Sequence, residues 1–264
     1  MKKVLVLILM MGLACQQDLS KPSFISFATE QDSLAVFAKN SLPCPTVVII
    51  KNRNTEFDSI LNFEAYEKRE IMSFSAQEMD SLTFVKDYEV RMLYGSYPAK
   101  TGDTSYNYGL PFEKNKRYKI IQGHFGKFSH QSDFSKYAID FKMKVGQPVC
   151  AMRDAVVVGL KQDSNEGGRN KKYYDKANYI LLYHEDGTFS QYVHLKYNGV
   201  LVTIGEKVKK GQVIGYSGNT GYSTTPHLHF GIFKPTLKGF VSIPYILDSI
   251  PSNRYIKGKF ASNN

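Results

Sequence analysis

The segment GNTGYSTTPHLHF, residues 218–230, decides how the C-terminal half of this chain folds. In a β-strand, His227 and His229 lie on one face, while Leu228 and Phe230 lie on the other. The apolar pair would anchor the strand in a core, and the two imidazoles would line a groove. Two histidines at this spacing, bounded by apolar partners, indicate a metal or catalytic site more than a structural role.

A second segment, SQYVHL at residues 190–195, repeats this geometry. Tyr192 and His194 share one strand face, and Val193 and Leu195 share the other. The sequence therefore predicts a second strand that carries a histidine opposite apolar anchors.

A third segment, FSHQSDFSKYAIDFKM at residues 128–143, places a carboxylate in an apolar strand. Asp140 faces one way, and Ile139 and Phe141 face the other. Burying a carboxylate is costly unless it is paired or bound to a metal. A metal ligand and a salt-bridged aspartate both fit this pattern.

The chain of 264 residues reads as all-β, with short apolar or alternating runs between Gly, Asn and Asp. Residues 22–105 predict a small β-sandwich domain without histidine, which we interpret as a spacer or binding module. Residues 108–250 predict a second domain that contains all six histidines, and residues 251–264 a C-terminal tail. The chemistry is therefore expected in the second domain.

The N-terminus resembles an export signal. Lys2 and Lys3 precede an apolar run from Val4 to Ala14 that is too short to span a bilayer, so residues 1–14 predict a cleaved signal peptide. Cys15 follows at once, and we expect it to be lipidated, with 15–21 as a linker. This predicts an exported lipoprotein of the cell envelope, anchored in the membrane; plain secretion or a retained helix is the alternative.

The charge of the chain indicates which kinds of partner it could bind. The net charge of +10 suits an acidic surface such as a cell-wall polymer or lipid headgroups, and nucleic acid is a poor candidate for an exported chain.

Cys44 and Cys150 each lie in an apolar run. An exported protein could pair them, but we expect two buried free thiols. The sequence does not indicate an oligomeric state.

Five motifs in order resemble the lysostaphin-type (LytM-domain) peptidoglycan endopeptidases. The resemblance covers roughly residues 108–235 and implies a small antiparallel β core with an open groove, the lipoyl-like duplicated hybrid motif. The motifs are YAIDF, G-x-P-V-x-A-x-x-D from Gly146 to Asp154, YxHL at Tyr192–Leu195, GEKVKKGQVIGYSGNTG and PHLHF.

The resemblance implies a zinc site. Asp140 and His229 match two of the three zinc ligands of the family, and His194 and His227 match its two unligated catalytic histidines. Three protein ligands leave a fourth position for water, as in catalytic zinc sites. No HExxH motif is present, so the two unligated histidines are expected to handle the proton and the developing oxyanion.

One position departs from the family pattern. The first histidine usually lies four residues before the aspartate, where this chain has Lys136, and a protonated lysine is not a zinc ligand. His130 and His124 both lie upstream, and a longer loop can deliver a ligand at small entropic cost. We expect His130 to be the third ligand, because it is closer and begins a polar loop, with His124 as the alternative.

These observations predict a zinc metalloendopeptidase that hydrolyses peptidoglycan stem or cross-bridge peptides. Two alternatives stay open. A degenerate LytM domain would bind peptidoglycan or activate another hydrolase without catalysis. A lipoyl or biotinyl carrier would share the β core, but it needs a modified lysine at a hairpin tip and has no need of a histidine cluster.

Overall fold

Strands dominate the computed structural model, which describes residues 24–100 and 102–264. The predicted signal peptide 1–14, Cys15 and the linker 15–21 lie outside the described residues. The chain divides into two compact units, Met1–Pro98 and Ala99–Asn264. Within the described part, no helix combines the length and apolar character needed to cross a membrane.

The first unit contains two antiparallel three-stranded sheets, in the orders β1-β2-β5 and β4-β3-β6. A short α-helix precedes the last strand, and the Asp80 carboxylate caps it by accepting from the Thr83 amide at 2.7 Å. The elements are β1 Ile25–Glu30, β2 Ser33–Lys39, β3 Thr46–Asn52, β4 Asp58–Phe63, β5 Lys68–Ser75, α1 Ser81–Asp87 and β6 Tyr88–Tyr94.

The two sheets of this unit share one apolar core, as the sandwich prediction requires. Alternate residues of β2 are buried, namely Leu34, Val36 and Ala38. They join Phe63 from the other sheet and Phe84 from α1 in a single cluster. Burying one such large side chain stabilises the fold by about 1.5–3 kcal/mol, so packing alone accounts for this arrangement.

The second unit is built from short strands, most of them antiparallel, and two 3₁₀ turns at Lys171–Lys176 and Ser252–Arg254. Its strands are β7 Asn107–Tyr108, β8 Lys116–Gln122, β9 Ile139–Phe141, β10 Pro148–Cys150, β11 Ala155–Lys161, β12 Gly167–Gly168, β13 Tyr179–Tyr183, β14 Phe189–Val193, β15 Leu195–Val200, β16 Lys207–Val208, β17 Val213–Ser217, β18 Gly221–Tyr222, β19 Leu228–Thr236, β20 Gly239–Ser242, β21 Ile246–Leu247, β22 Ile250–Pro251 and β23 Phe260–Asn263.

A nine-stranded sheet organises this unit. Its order is β16-β11-β13-β14-β19-β9-β8-β23, and β20 pairs with β19 off this path. A smaller sheet, β10-β17-β15, contributes Val149 and Ile214 to the same apolar core. Strands β14, β19 and β9 are neighbours in the large sheet, so the three motifs quoted from the sequence meet there.

The segment 251–264, predicted to be a C-terminal tail, contributes a strand to the second unit. Strand β23 pairs antiparallel with β8, and Ala261 lies in the core. Tyr255 is also buried and donates its hydroxyl hydrogen to the Leu247 carbonyl at 2.9 Å. The C-terminal segment therefore provides the edge strand of the large sheet, next to β8.

Both cysteines in the described part of the chain are buried and unpaired, which confirms the expectation of free thiols. Cys44 belongs to the first unit and Cys150 to the second. Burial raises the pKa of the Cys44 thiol to about 12 and that of Cys150 to about 11, so neither is a reactive thiolate near neutral pH.

Candidate metal centre

Two neighbouring strands bring Asp140 and His229 together. They are direct partners in the antiparallel register of β9 and β19, and His229 Nδ1 lies 2.8 Å from Asp140 Oδ1. Leu228 and Phe230 on the opposite face of β19 are fully buried in the core. The alternation predicted for this strand is therefore present, and it directs the imidazole away from the core.

His130 reaches the same place from the long loop between β8 and β9. Its Nε2 lies 3.2 Å from Asp140 Oδ1 and 3.1 Å from His229 Nδ1, and its ring is completely buried. Its Nδ1 donates to the Gly123 carbonyl at 2.9 Å, which leaves the lone pair of Nε2 free to bind a metal. One ligand atom from each of the three residues lies within 4.8 Å of the others.

The other two upstream candidates lie elsewhere. Lys136 forms an ion pair with Asp133 at 2.6 Å, with the aspartate largely exposed. His124 packs edge-on against Tyr137, with ring centroids 5.3 Å apart, and it is not part of the three-residue cluster. The loop geometry therefore places His130, rather than Lys136 or His124, beside Asp140.

His194 lies between β14 and β15, next to the cluster. Its backbone is left-handed, with φ of 65°, which is uncommon for a residue other than glycine. Its Nδ1 donates to the Thr220 carbonyl at 2.6 Å, and its ring lies 4.5 Å from that of His227. Thr220 itself precedes Gly221, whose φ of 78° and close contact with Ala177 leave no space for a side chain.

His227 completes the group. Its Nδ1 donates to the Thr225 carbonyl at 2.7 Å and lies 3.2 Å from Ser223 Oγ. Its Nε2 lies 3.8 Å from Asp140 Oδ2. A carbonyl oxygen can only accept, so His227 and His194 are both fixed as Nδ1–H tautomers with Nε2 available to a substrate.

The electrostatics of the group follow from burial and mutual contact. Burial opposes ionisation of Asp140, but His227, His130 and His229 outweigh it and lower its pKa well below the usual range. Burial lowers the pKa of His194 well below its usual value, and the charges of His227 and His229 add to this effect. Asp140 is thus a carboxylate and His194 a neutral imidazole at neutral pH.

Sequence reasoning missed one contributor, Gln122. It ends strand β8 and donates from Nε2 to Asp140 Oδ2 at 3.0 Å and to Ser129 Oγ at 2.8 Å. Its Oε1 accepts from the Phe128 amide at 3.0 Å, so it also shapes the loop that carries His130. No motif marks this residue, and only the register of β8 beside β9 reveals its position.

The three clustered residues fit a zinc ion by donor chemistry. Two imidazoles and one carboxylate are a common set in catalytic zinc sites, which keep a further position for water or substrate. The Gly123 carbonyl fixes the tautomer of His130, and Gln122 supports the second oxygen of Asp140. His130, Asp140 and His229 would therefore hold the metal.

Part of the second unit is similar in sequence to known peptidases. Residues 134–239 match the family described as Peptidase family M23. A glycyl-glycine endopeptidase, ALE-1 of Staphylococcus capitis, is 47% identical over 96 residues, 36% of this chain and 23% of the relative. A peptidoglycan DD-endopeptidase of Vibrio cholerae, ShyA, is 42% identical over 91 residues, 34% of this chain and 18% of the relative.

The chain thus spans less than half the length of the curated relatives it matches. Among solved structures, it is similar to the catalytic domain of the antimicrobial peptidase lysostaphin from Staphylococcus simulans. That match has 29% identity, covers 48% of this chain and 88% of the other, and has a TM-score of 0.34.

Proposed function

We propose, on the premise that the second unit carries a Peptidase M23 domain of the LytM/lysostaphin type, that this protein is a zinc metalloendopeptidase of peptidoglycan. The bonds cut would be those of stem or cross-bridge peptides. One observation carries the proposal: His130, Asp140 and His229 present three ligand atoms within 4.8 Å, beside two further buried histidines. Burying several imidazoles and a carboxylate costs free energy, and packing alone does not explain their presence.

The choice of substrate rests on relatives and charge. A glycyl-glycine endopeptidase and a peptidoglycan DD-endopeptidase are among the proteins with similar sequences. The basic chain, with a net charge of +10, would be attracted to an acidic cell-wall polymer. Peptide cross-links of such a polymer are therefore the substrate class that we propose.

The proposed mechanism divides the five side chains into two groups. A zinc ion held by His130, Asp140 and His229 would lower the pKa of a water molecule and polarise the scissile carbonyl. His194 and His227 would accept and return the proton through Nε2, because Nδ1 of each is bound to a carbonyl. As donors, the same atoms would stabilise negative charge on the substrate oxygen.

A second candidate is a non-catalytic domain that binds peptidoglycan or activates another hydrolase. The observation in its favour is Lys136, which stands where the family usually has its first zinc-binding histidine and here pairs with Asp133. The position of His130 beside Asp140 argues against it, since the third donor is supplied from elsewhere in the loop.

The decisive experiment incubates the purified protein with whole peptidoglycan, with and without a chelator, and identifies released fragments by mass. We expect new peptide termini that disappear with the chelator and return when zinc is added. Asp140→Ala serves as the matched inactive variant. Peptidoglycan binding without any cleavage, together with less than stoichiometric zinc, would establish the non-catalytic candidate instead.

We also propose that the protein is held at the membrane through a lipidated Cys15. The support is the basic start and short apolar run before this cysteine. Two or more acyl chains give stable attachment, so Cys15→Ser should move the protein from the membrane fraction to the soluble one. Unchanged membrane partition would indicate an uncleaved helix or attachment through the basic surface.

A further inference from the structure

A cavity of about 250 Å³ lies in the second unit beside the loop that carries His130. Its walls come from the segment 124–137 and from the C-terminal segment 244–253. Except for Tyr137, every lining residue falls outside the range 134–239 matched by the peptidase family. None of the roles proposed above uses this cavity.

Two buried polar atoms in the cavity wall have no hydrogen-bond partner. They are Nε2 of His124 and the hydroxyl oxygen of Tyr245, a residue that is only 5% exposed. Across the described residues, four buried side-chain polar atoms lack a partner, and two of the four line this one cavity. Buried polar groups are rarely left unpaired, so the pair indicates a place for a hydrogen-bonding ligand.

Apart from Ser252 and Asn253, the rest of the wall is apolar and rich in rings. Tyr137 packs against His124 and Phe125, with centroids 5.3 Å and 5.4 Å away, and Pro244 and Pro251 also line the cavity. Such a wall suits the flat, apolar face of a ring.

Phe125 stands out in this wall, because it is 61% exposed and has a left-handed backbone with φ of 53°. Its amide donates to the Lys136 carbonyl at 2.8 Å, which holds this strained conformation. A bulky residue in this region is an outlier, and such strain tends to be kept at binding sites.

The cavity also selects by charge and size. Among the residues that the structure describes, no carboxylate, lysine or arginine lines it, and burial, followed by the charge of His130, lowers the pKa of His124 to about 4. Burial raises the pKa of Tyr245, so its hydroxyl stays protonated. The wall is thus uncharged at neutral pH, and the volume lies below the range of about 300–1,000 Å³ typical of drug-sized ligands. One neutral ring fits these limits.

We propose that this cavity binds one sugar ring of a glycan. A sugar ring presents apolar C–H faces to the aromatic and proline walls, and hydroxyl groups that both donate and accept. Such hydroxyls satisfy the Tyr245 phenol and either tautomer of His124. The proposal rests on the proposed function, because peptidoglycan would supply the glycan, and it adds a contact with the carbohydrate to the contact with the peptide.

The cavity and the metal ligands share one loop. The Gly123 carbonyl accepts from His130 Nδ1, and the next residue, His124, lines the cavity. A Cβ atom at Gly123 would lie 2.5 Å from the Tyr255 carbonyl oxygen, so the loop rests directly on the C-terminal segment. A bound sugar would therefore hold the loop that positions His130 while it fixes the enzyme on the glycan strand.

The test measures binding of tri-N-acetylchitotriose to the full chain by calorimetry and by NMR shifts. We expect Tyr245→Phe and His124→Leu each to weaken binding about 3- to 10-fold, the effect of one hydrogen bond. The melting temperature of Tyr245→Phe should not fall, because its hydroxyl has no hydrogen bond to any residue that the structure describes. Equal affinity for cellotriose, which lacks acetamido groups, would also support a sugar site. Such a site would not recognise the acetamido group.

Two controls and a second readout complete the test. Tyr118→Phe removes a hydroxyl that bonds Gln147, and Phe260→Ala removes a half-exposed ring; both should leave sugar affinity unchanged. Absence of sugar binding at millimolar concentration, or selective binding of a proline-rich peptide, would overturn the proposal. Chelator-sensitive cleavage of a stem peptide that carries no sugar is measured separately, so failure of the sugar site is distinct from failure of the peptidase.

Discussion

The two units of this chain use the same β-rich construction for different interiors. In the described part of the first unit, the buried polar side chains are Asn40 and Thr46. The second unit buries His130, Asp140 and His194 among many other polar groups. Both interiors contain a large apolar cluster, so hydrophobic burial explains folding in each.

The comparison teaches where to look for chemistry. Burying imidazoles and a carboxylate costs free energy. Apolar residues of similar size would fill the same interior and stabilise the fold at least as well. Asn40 in the first unit has a simple structural role, since its amide donates to the carbonyls of Cys44 and Glu64. The five clustered residues of the second unit have no such explanation in packing, and the predictions below test this contrast.

The largest effect is expected at the three proposed metal ligands. Asp140→Ala, His229→Ala and His130→Ala should each reduce bound zinc to a trace and hydrolysis to background, because two remaining ligands hold zinc poorly. Zinc is measured by elemental analysis of the purified protein, and hydrolysis by fragment mass.

His124→Ala and Lys136→Ala are the matched controls, since both lie on the same loop and outside the cluster. Both should keep zinc and the cleavage of a stem peptide that carries no sugar. Stoichiometric zinc and full activity in His130→Ala would show that the ligand set is wrong.

The next effect concerns the two remaining histidines. His194→Ala and His227→Ala should keep zinc but lower turnover by about two to four orders of magnitude, the usual contribution of acid–base catalysis. Steady-state rates and zinc content are compared in the same preparations. Metal loss in either variant with metal retained in His229→Ala would reverse the two roles.

A third prediction concerns the first unit. Phe63→Ala should lower the free energy of unfolding of this unit by about 3–5 kcal/mol, because it removes a fully buried ring from the sandwich core. Zinc content and hydrolysis should be unchanged below the melting transition. The control is Leu82→Ala at a residue that is 62% exposed. Loss of hydrolysis while the sandwich remains folded would mean that this unit takes part in the reaction.

The smallest effect concerns an ion pair away from the metal centre. Asp186 lies 2.7 Å from Arg153, and both are about nine-tenths buried. Burial opposes ionisation of Asp186, but bonds from Thr188 and Arg153 outweigh it and lower its pKa to about 2. Since this is below the unfolded value of about 3.9, the pair stabilises the fold above pH ~4, and this stabilisation is lost as the pH falls toward 2.

Asp186→Asn should therefore destabilise the second unit by about 3 kcal/mol at neutral pH and flatten its acid dependence. Thermal melts between pH 2 and 7 provide the measurement. The control is Asp58→Asn in the first unit, where the pair with Lys51 is about half exposed and the loss should stay under ~1 kcal/mol. An equal loss of stability in both variants would contradict the proposed difference between the buried ion pair of the second unit and the exposed one of the first.

The sequence predicted the all-β class and the alternation of β19, because strand geometry fixes which side chains share a face. It also placed His130, ten residues upstream, in one zinc site with Asp140; the two side chains lie 3.2 Å apart, and their role as zinc ligands stays a prediction. Gln122 and the strand Phe260–Asn263 were missed, since both depend on pairing between strands distant in sequence. The polar composition of the C-terminal segment gave no indication that it adds an edge strand to the sheet. The sequence also gave no indication of the cavity that this segment helps to form.

The register of β9 and β19 has a consequence for folding. Asp140 faces His229 directly, and a slip of one residue would turn His229 toward the core and Phe230 out of it. A chain with slipped strands would therefore lack a metal site, whereas the correctly paired chain would be stabilised by binding a zinc ion. Zinc present during refolding should raise the yield of active protein above that obtained when zinc is added afterwards. The metal would then act as a selector of the correct strand pairing before it acts on any substrate.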